Sequence, residues 1–512
     1  MRAFRYVSSL VLSIVGFAVF AQEPAAPAGP LITRADLASS YLRVERALDG
    51  KQFTPEQIAQ MNTTFDQATL VFFQKKFGDA IRQIDSVTTS IADKDAHPDF
   101  LRKAAALRLR IEPPVVVAGD STPVALHIEQ MYLPGEPGEP IEGRVEVRDR
   151  LGEVKASEDF KLRFEKGRSV ELVMAVRGDR AGPGIDKKWF AEPGRYTLWI
   201  ASDSFTRAQA SAVSALPGPS GQYTVVAESL NAVRDRNAAR LDLIKVSTPA
   251  LEQALASVKA RNKLLSDTPD PENTAQYVLD PVRLSKEIAS EIIALEQNND
   301  SFKGRQGDYW RVLKTGDKEI PLRVYCPQTF DFSDRVPLVV AFHGAGVDEN
   351  AFMDAYGAGR LKQLADQHRF LLVTPLTYSF SGATLGDSFD ALLDSIGMNY
   401  PIDPKRIYVL GHSMGGGVTT AVVAARGAKI AAASPICGFR GLPADTKDVP
   451  PMFVIAAELD PLANPKAVGP AAEAAKAAGF PVEYKLMANY GHTLVVGEIL
   501  PEVLTWMLAK TR

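Results

Sequence analysis

The residues best suited to chemistry in this chain are a serine and the glycines two positions before and after it, Gly-His-Ser-Met-Gly at 411–415. An apolar run, residues 406–410, precedes this motif, and a stretch of small residues, 416–425, follows it. The order predicts a strand, a sharp turn and a helix, which together form a nucleophile elbow. Glycine is required at the flanking positions because a larger side chain would strike the strand or the helix. The turn would hold the Ser413 hydroxyl at the helix N-terminus, where backbone N–H groups stabilise negative charge.

A serine nucleophile needs a base, an acid that orients the base, and an oxyanion hole. When the serine lies on such an elbow, the acid and then the histidine follow it along the chain. His492 is the only histidine downstream of Ser413, and it follows the strand-like residues 482–487. The base must hang from a loop after a strand to reach the serine, so His492 is predicted to be the base.

The acid is expected in the loop after the preceding strand-like run, residues 451–457, and this loop contains both Glu458 and Asp460. Asp460 is preferred because the following proline favours a turn that would aim the carboxylate inward. Glu458 remains the alternative. The acid would fix the tautomer of the imidazole and stabilise the imidazolium that forms during attack.

The oxyanion hole requires two backbone donors, and the N–H of Met414, directly after the nucleophile, is predicted to be the first. The second is expected from the loop after the apolar run 336–342, where His343 is followed by Gly-Ala-Gly. Ala345 is the predicted donor and Gly346 the alternative, because the glycines let the backbone approach a substrate carbonyl closely. Each such donor contributes about 2.7–4 kcal/mol to stabilising the transition state.

Two further side chains are predicted to contact the substrate. They are His343, which begins the glycine-containing loop, and Tyr378, which lies in the loop formed by residues 375–387. The alternative for Tyr378, and for its neighbour Phe380, is to cover the edge of the sheet. Loops of this kind form the pocket walls, so the sequence alone does not identify the acyl or alcohol group.

Strand-like runs follow one another from about residue 305, and helical patterns separate most of the later ones. Continuous apolar strands that alternate with helices predict a mostly parallel sheet covered on both faces. Of the eight strands, the fifth precedes the elbow, the seventh the acid, the eighth the histidine and the third the glycine loop. The runs lie near residues 309–314, 319–326, 336–342, 370–374, 406–411, 429–434, 451–457 and 481–487.

With this order of motifs, the chain resembles serine esterases of the α/β-hydrolase superfamily. Residues 337–346 and 411–416 are similar to those of secreted esterases related to polyhydroxybutyrate depolymerases and feruloyl esterases. The resemblance covers residues 305–512 only. It implies an eight-stranded α/β-hydrolase fold, an acyl-enzyme mechanism without a cofactor, and an ester substrate derived from a plant polymer or a polyester.

The resemblance also bears on the two cysteines of the chain. In the strand order of that family, Cys326 ends the second strand and Cys437 follows the sixth. These strands would lie about four strand spacings, roughly 19 Å, apart. A disulfide needs Cα atoms within about 7 Å of each other, so both cysteines are expected to be free, buried thiols.

Residues 1–21 have the pattern of a secretory signal peptide. Arg2 and Arg5 precede a mostly apolar run, 7–20, and the predicted cleavage site is Val-Phe-Ala at 19–21, before Gln22. The run is shorter than the roughly 20 residues that span a bilayer. We therefore expect a secreted or periplasmic protein with a flexible leader at 22–30 and no membrane span in the mature chain.

Charge and metal-ligand patterns exclude several classes of function. The net charge is −3 and no basic block is present, which does not support nucleic-acid binding. The sequence contains no CxxC, no HExxH and no close pair of histidines, so no metal site is predicted.

The first 300 residues are predicted to form three parts: a helical segment at 31–113, a β-sandwich-like domain at 114–228 and a helical connector at 229–304. The sandwich is interpreted as a structural or dimer-forming module, with glycan or polymer binding as the alternative. Four aromatic side chains, Trp189, Phe190, Tyr196 and Trp199, would then form either part of the core or a stacking platform.

A secreted serine esterase is therefore the predicted function. One alternative is a serine peptidase of the oligopeptidase type, but the β-rich region is short and lacks propeller repeats. The other is a non-catalytic binding protein with an idle hydrolase domain, although every catalytic position carries a suitable residue. The oligomeric state is not predicted.

Overall fold

The structure is a computed structural model that describes residues 32–91, 98–166, 171–176, 184–185, 187–202 and 219–512. The predicted signal peptide and leader, residues 1–30, lie outside these ranges. Within the described ranges, no helix combines the length and the apolar character needed to cross a membrane.

The first described residues form a group of helices with well-defined starts. The side chains of Thr33 and Thr54 each accept a hydrogen bond from the backbone N–H three residues later, and the side-chain oxygens of Asp36 and Gln57 accept one from the backbone N–H groups of these caps. Such reciprocal capping satisfies N–H groups that the helix itself leaves unpaired. The helices are α1 (Arg34–Leu48), α2 (Pro55–Phe73), α3 (Phe77–Ile91) and α4 (Pro98–Ala105).

Two sheets follow, and their inward-facing side chains share one hydrophobic core, as in a β-sandwich. The first sheet has the strand order β1-β3-β6-β7 and the second has the order β2-β9-β8-β4-β5. The strands are β1 (Leu107–Glu112), β2 (Val115–Val117), β3 (Ala125–Gln130), β4 (Pro140–Arg148), β5 (Val154–Arg163), β6 (Glu171–Val176), β7 (Gly184–Ile185), β8 (Gly194–Ala201) and β9 (Gly221–Val226).

The aromatic side chains of the sandwich belong mainly to this core. Trp189, Phe190 and Tyr196 are all buried, and the Tyr196 ring stacks on Tyr223. Trp199 is half-buried, and the guanidinium carbon of Arg148 lies over its ring, 4.7 Å from the ring centroid. This arrangement favours a core role over an exposed stacking platform.

A helical connector links the sandwich to the last sheet. Arg261, although buried, is held by Glu291 at 3.0 Å and donates to the carbonyl of Trp310 in the first strand of that sheet. A buried charge is tolerated only when it is paired in this way. The connector helices are α5 (Leu230–Leu243), α6 (Pro249–Lys263), α7 (Thr274–Val278) and α8 (Pro281–Glu296).

The C-terminal part is an eight-stranded sheet with the order β10-β11-β13-β12-β14-β15-β16-β17. The pairings of β10 with β11 and of β11 with β13 are antiparallel and the others are parallel. The strands are β10 (Gly307–Thr315), β11 (Lys318–Cys326), β12 (Val336–Phe342), β13 (Leu371–Pro375), β14 (Ile402–His412), β15 (Ala432–Ile436), β16 (Met452–Ala457) and β17 (Val482–Met487).

Both faces of this sheet are buried. Along β12, Leu338 and Val340 belong to one hydrophobic cluster, whereas Val339 and Ala341 belong to another on the opposite face. This explains why β12 is apolar at every position, as strands of doubly covered parallel sheets are. Further helices of this part are α9 (Arg360–His368), α10 (Leu385–Asn399), α11 (Met414–Arg426), α12 (Pro465–Ala477) and α13 (Val495–Leu508).

The strand order confirms the predicted α/β-hydrolase fold. It also separates the cysteines as expected, because Cys326 ends β11 and Cys437 follows β15, four positions away in the sheet. Both thiols are free and buried.

The N-terminal helices pack on the hydrolase sheet as well as on each other. Val44 of α1 and Phe65 of α2 lie in the same hydrophobic cluster as Tyr356 and Val495. The N-terminal segment thereby reaches the side of the sheet at which the carboxyl ends of β12, β14, β16 and β17 lie.

Candidate active site

Ser413 lies between β14 and α11 with φ 54° and ψ −116°. A non-glycine residue with positive φ is strained, and such strain is common at functional turns. The turn has no room for side chains beside it: a Cβ on Gly411 would overlap the Gly415 carbonyl, and one on Gly415 would overlap the Phe342 carbonyl. The two glycines therefore allow the turn that exposes the Ser413 hydroxyl.

His492 and Asp460 meet at the same edge of the sheet. The His492 Nδ1 lies 2.7 Å from Asp460 Oδ2, and both side chains are buried. The other carboxylate oxygen, Oδ1, accepts the N–H groups of Leu462 at 2.7 Å and Ala463 at 2.8 Å. These bonds fix the carboxylate, which in turn assigns the proton of the neutral imidazole to Nδ1 and leaves Nε2 as the basic nitrogen.

The other acidic candidate, Glu458, has a different partner. Glu458 is exposed and accepts the backbone N–H of Asn489 at 2.9 Å. Of the two acids in this loop, Asp460 is the one bonded to His492.

Ser413 and His492 line one cavity at the sheet edge. In the described part of the chain, the His492 ring bonds Asp460 and makes no hydrogen bond with Ser413. Hydrogen bonds between catalytic groups are often long before substrate binds, so this geometry is compatible with a serine–histidine pair.

The glycine-containing loop after β12 lies against the elbow. A Cβ on Gly344 would be 3.3 Å from the Ser413 Cβ. The Gly346 N–H already donates to the Tyr378 hydroxyl at 2.7 Å. The N–H groups of Ala345 and Met414 have no acceptor among the described residues, so these two predicted donors are the available ones.

His412, beside the nucleophile, connects three parts of the site. Its Nε2 lies 2.8 Å from the His492 carbonyl and must carry the proton, so Nδ1 accepts from the Tyr356 hydroxyl at 2.9 Å. Burial lowers the pKa of His412 well below its usual value, which keeps the ring neutral. Through these bonds, His412 connects the elbow to the loop that carries Gly491 and His492, called the histidine loop below. The motif alone did not indicate this role.

The surroundings of His343 do not support the prediction that it contacts the substrate. The ring is buried outside the cavity; its Nδ1 donates to the Gly344 carbonyl at 2.8 Å and its Nε2 accepts the Thr377 N–H at 2.9 Å. Burial lowers the pKa of His343 to about 4. With both nitrogens paired, His343 holds the loop in place and has no free group for a substrate.

Tyr378 is half-exposed, and its hydroxyl accepts the N–H of Gly346 in the loop after β12. It is not among the residues that line the cavity. Phe380 is fully buried and packs on Phe342 with ring centroids 5.2 Å apart, so it covers the sheet.

Helix α2 holds the histidine loop, a contact that no feature of the sequence predicted. The buried Asn62 Oδ1 accepts the Gly491 N–H at 2.8 Å, and the buried Asp66 Oδ2 accepts the His492 N–H at 2.7 Å. A Cβ on Gly491 would overlap the Asp66 carboxylate. Burial raises the pKa of Asp66 to about 6. No local pattern signals this contact, because the partners are more than 400 positions apart.

The cavity has a volume of about 180 Å³ and is mostly apolar. Its floor contains Ser413, His412 and His492, and its walls come from α1, α2 and the loop after β12. The main apolar lining residues are Leu37, Tyr41, Leu42, Phe65, Ala68, Phe72, Phe73, Val347, Ala351, Tyr356 and Leu462.

Among the described residues, two groups of side chains lie close enough to share a metal ion: Cys437, Asp460 and His492, and His127, Glu129 and Glu171. In the first group, burial raises the pKa of Cys437, which disfavours the thiolate that metals bind. In the second, Glu129 is already paired with Arg108 at 2.6 Å and with Arg110 at 3.0 Å. Neither arrangement favours a metal site.

No protein-family model matches the chain. A curated relative, poly(3-hydroxyalkanoate) depolymerase C of Paucimonas lemoignei, is 33% identical over 118 residues, which are 20% of this chain and 28% of the relative. The chain thus spans less than a third of the relative that it matches.

Among solved structures, a thermostable esterase is 24% identical with a TM-score of 0.34, covering 40% of this chain and 63% of its own. An S-formylglutathione hydrolase of Staphylococcus aureus is 17% identical with a TM-score of 0.35, covering 40% and 99%. A feruloyl esterase module of Clostridium thermocellum is 17% identical with a TM-score of 0.32, covering 39% and 86%.

The strand order and the position of the elbow carry the assignment of the fold. The elbow follows β14, and Asp460 and His492 follow β16 and β17. The C-terminal part of this chain therefore has the α/β-hydrolase fold.

Proposed function

We propose that the protein is a serine hydrolase that cleaves carboxylic esters through Ser413, Asp460 and His492. The observation that carries the proposal is the 2.7 Å bond between His492 Nδ1 and Asp460 Oδ2 in the cavity that Ser413 also lines. The elbow conformation of Ser413 and the similarity to a depolymerase support it further.

The mechanism begins when His492 Nε2 takes the proton of Ser413 and the serine oxygen attacks the ester carbonyl. The negative charge that forms on the carbonyl oxygen is stabilised by the N–H groups of Met414 and Ala345. His492 then gives its proton to the leaving alcohol, and Asp460 stabilises the imidazolium in between. Water hydrolyses the acyl-enzyme with His492 again acting as base.

The proposal extends to the compartment. The pattern at residues 1–21 supports export, so the enzyme would act outside the cytoplasm on an ester derived from a polyester or a plant polymer. The name of the depolymerase relative supports the polyester alternative.

A substrate panel tests the reaction. The full-length protein is offered p-nitrophenyl esters, hydroxyalkanoate oligomers, feruloylated glycans and aminoacyl anilides, alongside Ser413→Ala and His492→Ala. We expect ester turnover that each substitution lowers by several orders of magnitude, because the three residues act as a unit. Turnover of anilides alone would indicate a peptidase, and no turnover of any substrate would indicate a binding protein.

A further inference from the structure

We propose that α1 and α2 form the pocket for an apolar group of the ester, of about the size of a benzene ring or larger. This inference rests on the proposed function and adds the class of substrate. It assigns to the N-terminal helical segment a direct part in specificity.

The cavity lies between two walls that come from distant parts of the chain. Leu37 and Tyr41 of α1 and Ala68 and Phe72 of α2 form one wall. The opposite wall belongs to the hydrolase and includes Tyr356. A substrate bound at Ser413 would therefore extend towards the N-terminal helices.

The contact between α2 and the glycine-containing loop after β12 is close. A Cβ on Gly346 would lie 2.7 Å from the Phe72 ring, so glycine is needed for the ring to cover the loop. On the other side, Asn62 and Asp66 bind the histidine loop. Because α2 is fixed to both loops of the site, its apolar face has a defined position relative to the reacting atoms.

The size and chemistry of the cavity indicate its ligand. A dry apolar cavity of about 150 Å³ in another protein holds benzene. At about 180 Å³, this cavity has room for an aromatic ring or a short alkyl chain. A mostly apolar pocket with few polar groups binds by hydrophobic contact and leaves orientation to those few groups.

Two charged residues that line the cavity, Asp354 and Arg34, already have protein partners. Asp354 pairs with Arg323 at 2.8 Å and with Lys362 at 2.9 Å. The Arg34 guanidinium donates to the Gly346 carbonyl at 3.1 Å. These two groups are held by the protein, so apart from the reacting groups around Ser413 the surface left for the substrate is mainly apolar.

A filling substitution tests the pocket. Ala68→Phe places a ring in the cavity, and Gln67→Phe adds the same ring on the exposed face of the same helix as a matched control. kcat/KM is measured for p-nitrophenyl esters from acetate to octanoate and benzoate, and for acetates of increasingly large alcohols. The two series distinguish an acyl pocket from an alcohol pocket.

In one of the two series, we expect the wild type to prefer the larger group. Ala68→Phe should lower the ratio of kcat/KM for the large group to that for the smallest by at least about tenfold, the scale set by one methylene in a tight pocket. Gln67→Phe should leave the ratio unchanged. Phe72→Ala, which enlarges the cavity without adding atoms, should move the preference to longer groups, and thermal unfolding checks that each variant is folded.

An unchanged ratio in folded Ala68→Phe and Phe72→Ala would overturn the pocket assignment while leaving ester hydrolysis intact. If Ala68→Phe does not fold, Phe72→Ala decides alone. A wild type that hydrolyses no member of either series would overturn the proposed function itself, so the two failures are distinguishable.

Discussion

The helices α1 and α2 and the β-sandwich both precede the hydrolase domain, yet they relate to the candidate site in different ways. The helices supply cavity residues, and α2 binds the backbone of Gly491 and His492. No described residue of the sandwich lines the cavity. The 300 residues before the hydrolase are therefore not one accessory module, because the helices line the cavity and the described residues of the sandwich do not.

The contacts of the sandwich explain its separation from the chemistry. Arg108 of β1 pairs with Asp36 of α1 at 2.8 Å, and Arg195 of β8 donates to the Val278 carbonyl of the connector at 2.8 Å. The sandwich thus stabilises α1 and the connector, and these elements in turn support the site. Substitutions in the helices should change kinetics, and substitutions in the sandwich should change stability alone.

Outside Ser413 and His492, the largest expected effect is at the acid. Asp460→Asn should lower kcat by about 10⁴-fold, because an amide cannot hold the imidazole in the required tautomer. Glu458→Gln, the matched control in the same loop, should change kcat little, since Glu458 binds Asn489 instead. Steady-state kinetics with one ester measures both. Equal losses in the two variants would contradict the assignment of Asp460.

The second prediction concerns the pH dependence of the contact between α1 and the hydrolase. Glu45 is buried there, accepts from Tyr41 at 2.6 Å and from the Gly357 N–H at 3.2 Å, and burial raises its pKa to about 7. The folded protein thus keeps a proton that the unfolded chain releases above about pH 4.5. The free energy of unfolding should therefore fall between about pH 4.5 and 7, on the order of 3 kcal/mol from this group.

The variant Glu45→Gln checks that sign, because an amide has no proton to lose. Urea unfolding at pH 5 and pH 8 should show a smaller loss of stability in Glu45→Gln than in the wild type. A loss as large in the variant as in the wild type would rule out Glu45 as its source.

The third prediction tests α2 as a part of the site. Asp66→Ala leaves the His492 N–H without its acceptor, and the loop should shift enough to lower kcat by roughly 10–100-fold. KM should change little, because Asp66 does not line the cavity. Asp66→Asn keeps an acceptor oxygen and should restore most of the rate. A lower melting temperature with unchanged kcat in Asp66→Ala would assign Asp66 a structural role only.

The smallest expected effect belongs to the sandwich. Tyr223 is buried, and its hydroxyl donates to the Trp189 carbonyl at 2.8 Å. Tyr223→Phe should lower the free energy of unfolding by about 1–3 kcal/mol, because it leaves a buried carbonyl unpaired. kcat and KM should match those of the wild type. A change in substrate preference would mean that the sandwich takes part in binding after all.

The parts of this structure that sequence predicts are those with local causes. Apolar runs and the glycines around Ser413 predicted the strands and the elbow, because strand burial and turn sterics act over a few residues. The start of β14 was missed: the strand begins at Ile402, but Asp403, Pro404 and Lys405 hide it among polar and proline residues.

The contacts that sequence did not predict depend on how distant elements pack. His343 was predicted to contact the substrate because of its position in a loop, but only the packing of Thr377 against it shows that both ring nitrogens are paired. Asn62 and Asp66 lie on a helix whose pattern shows which face is buried but not against what. Sequence periodicity predicts which side chains of a helix are buried, whereas the tertiary structure determines which residues they contact.

Labelling with a fluorophosphonate tests the central claim most directly, because the reagent reacts with an activated serine whatever the true substrate is. Mass spectrometry of the labelled wild type should place the adduct on Ser413, Ser413→Ala should take up none, and His492→Ala should react far more slowly. An adduct on a different residue, or equal labelling rates in the wild type and His492→Ala, would contradict the account.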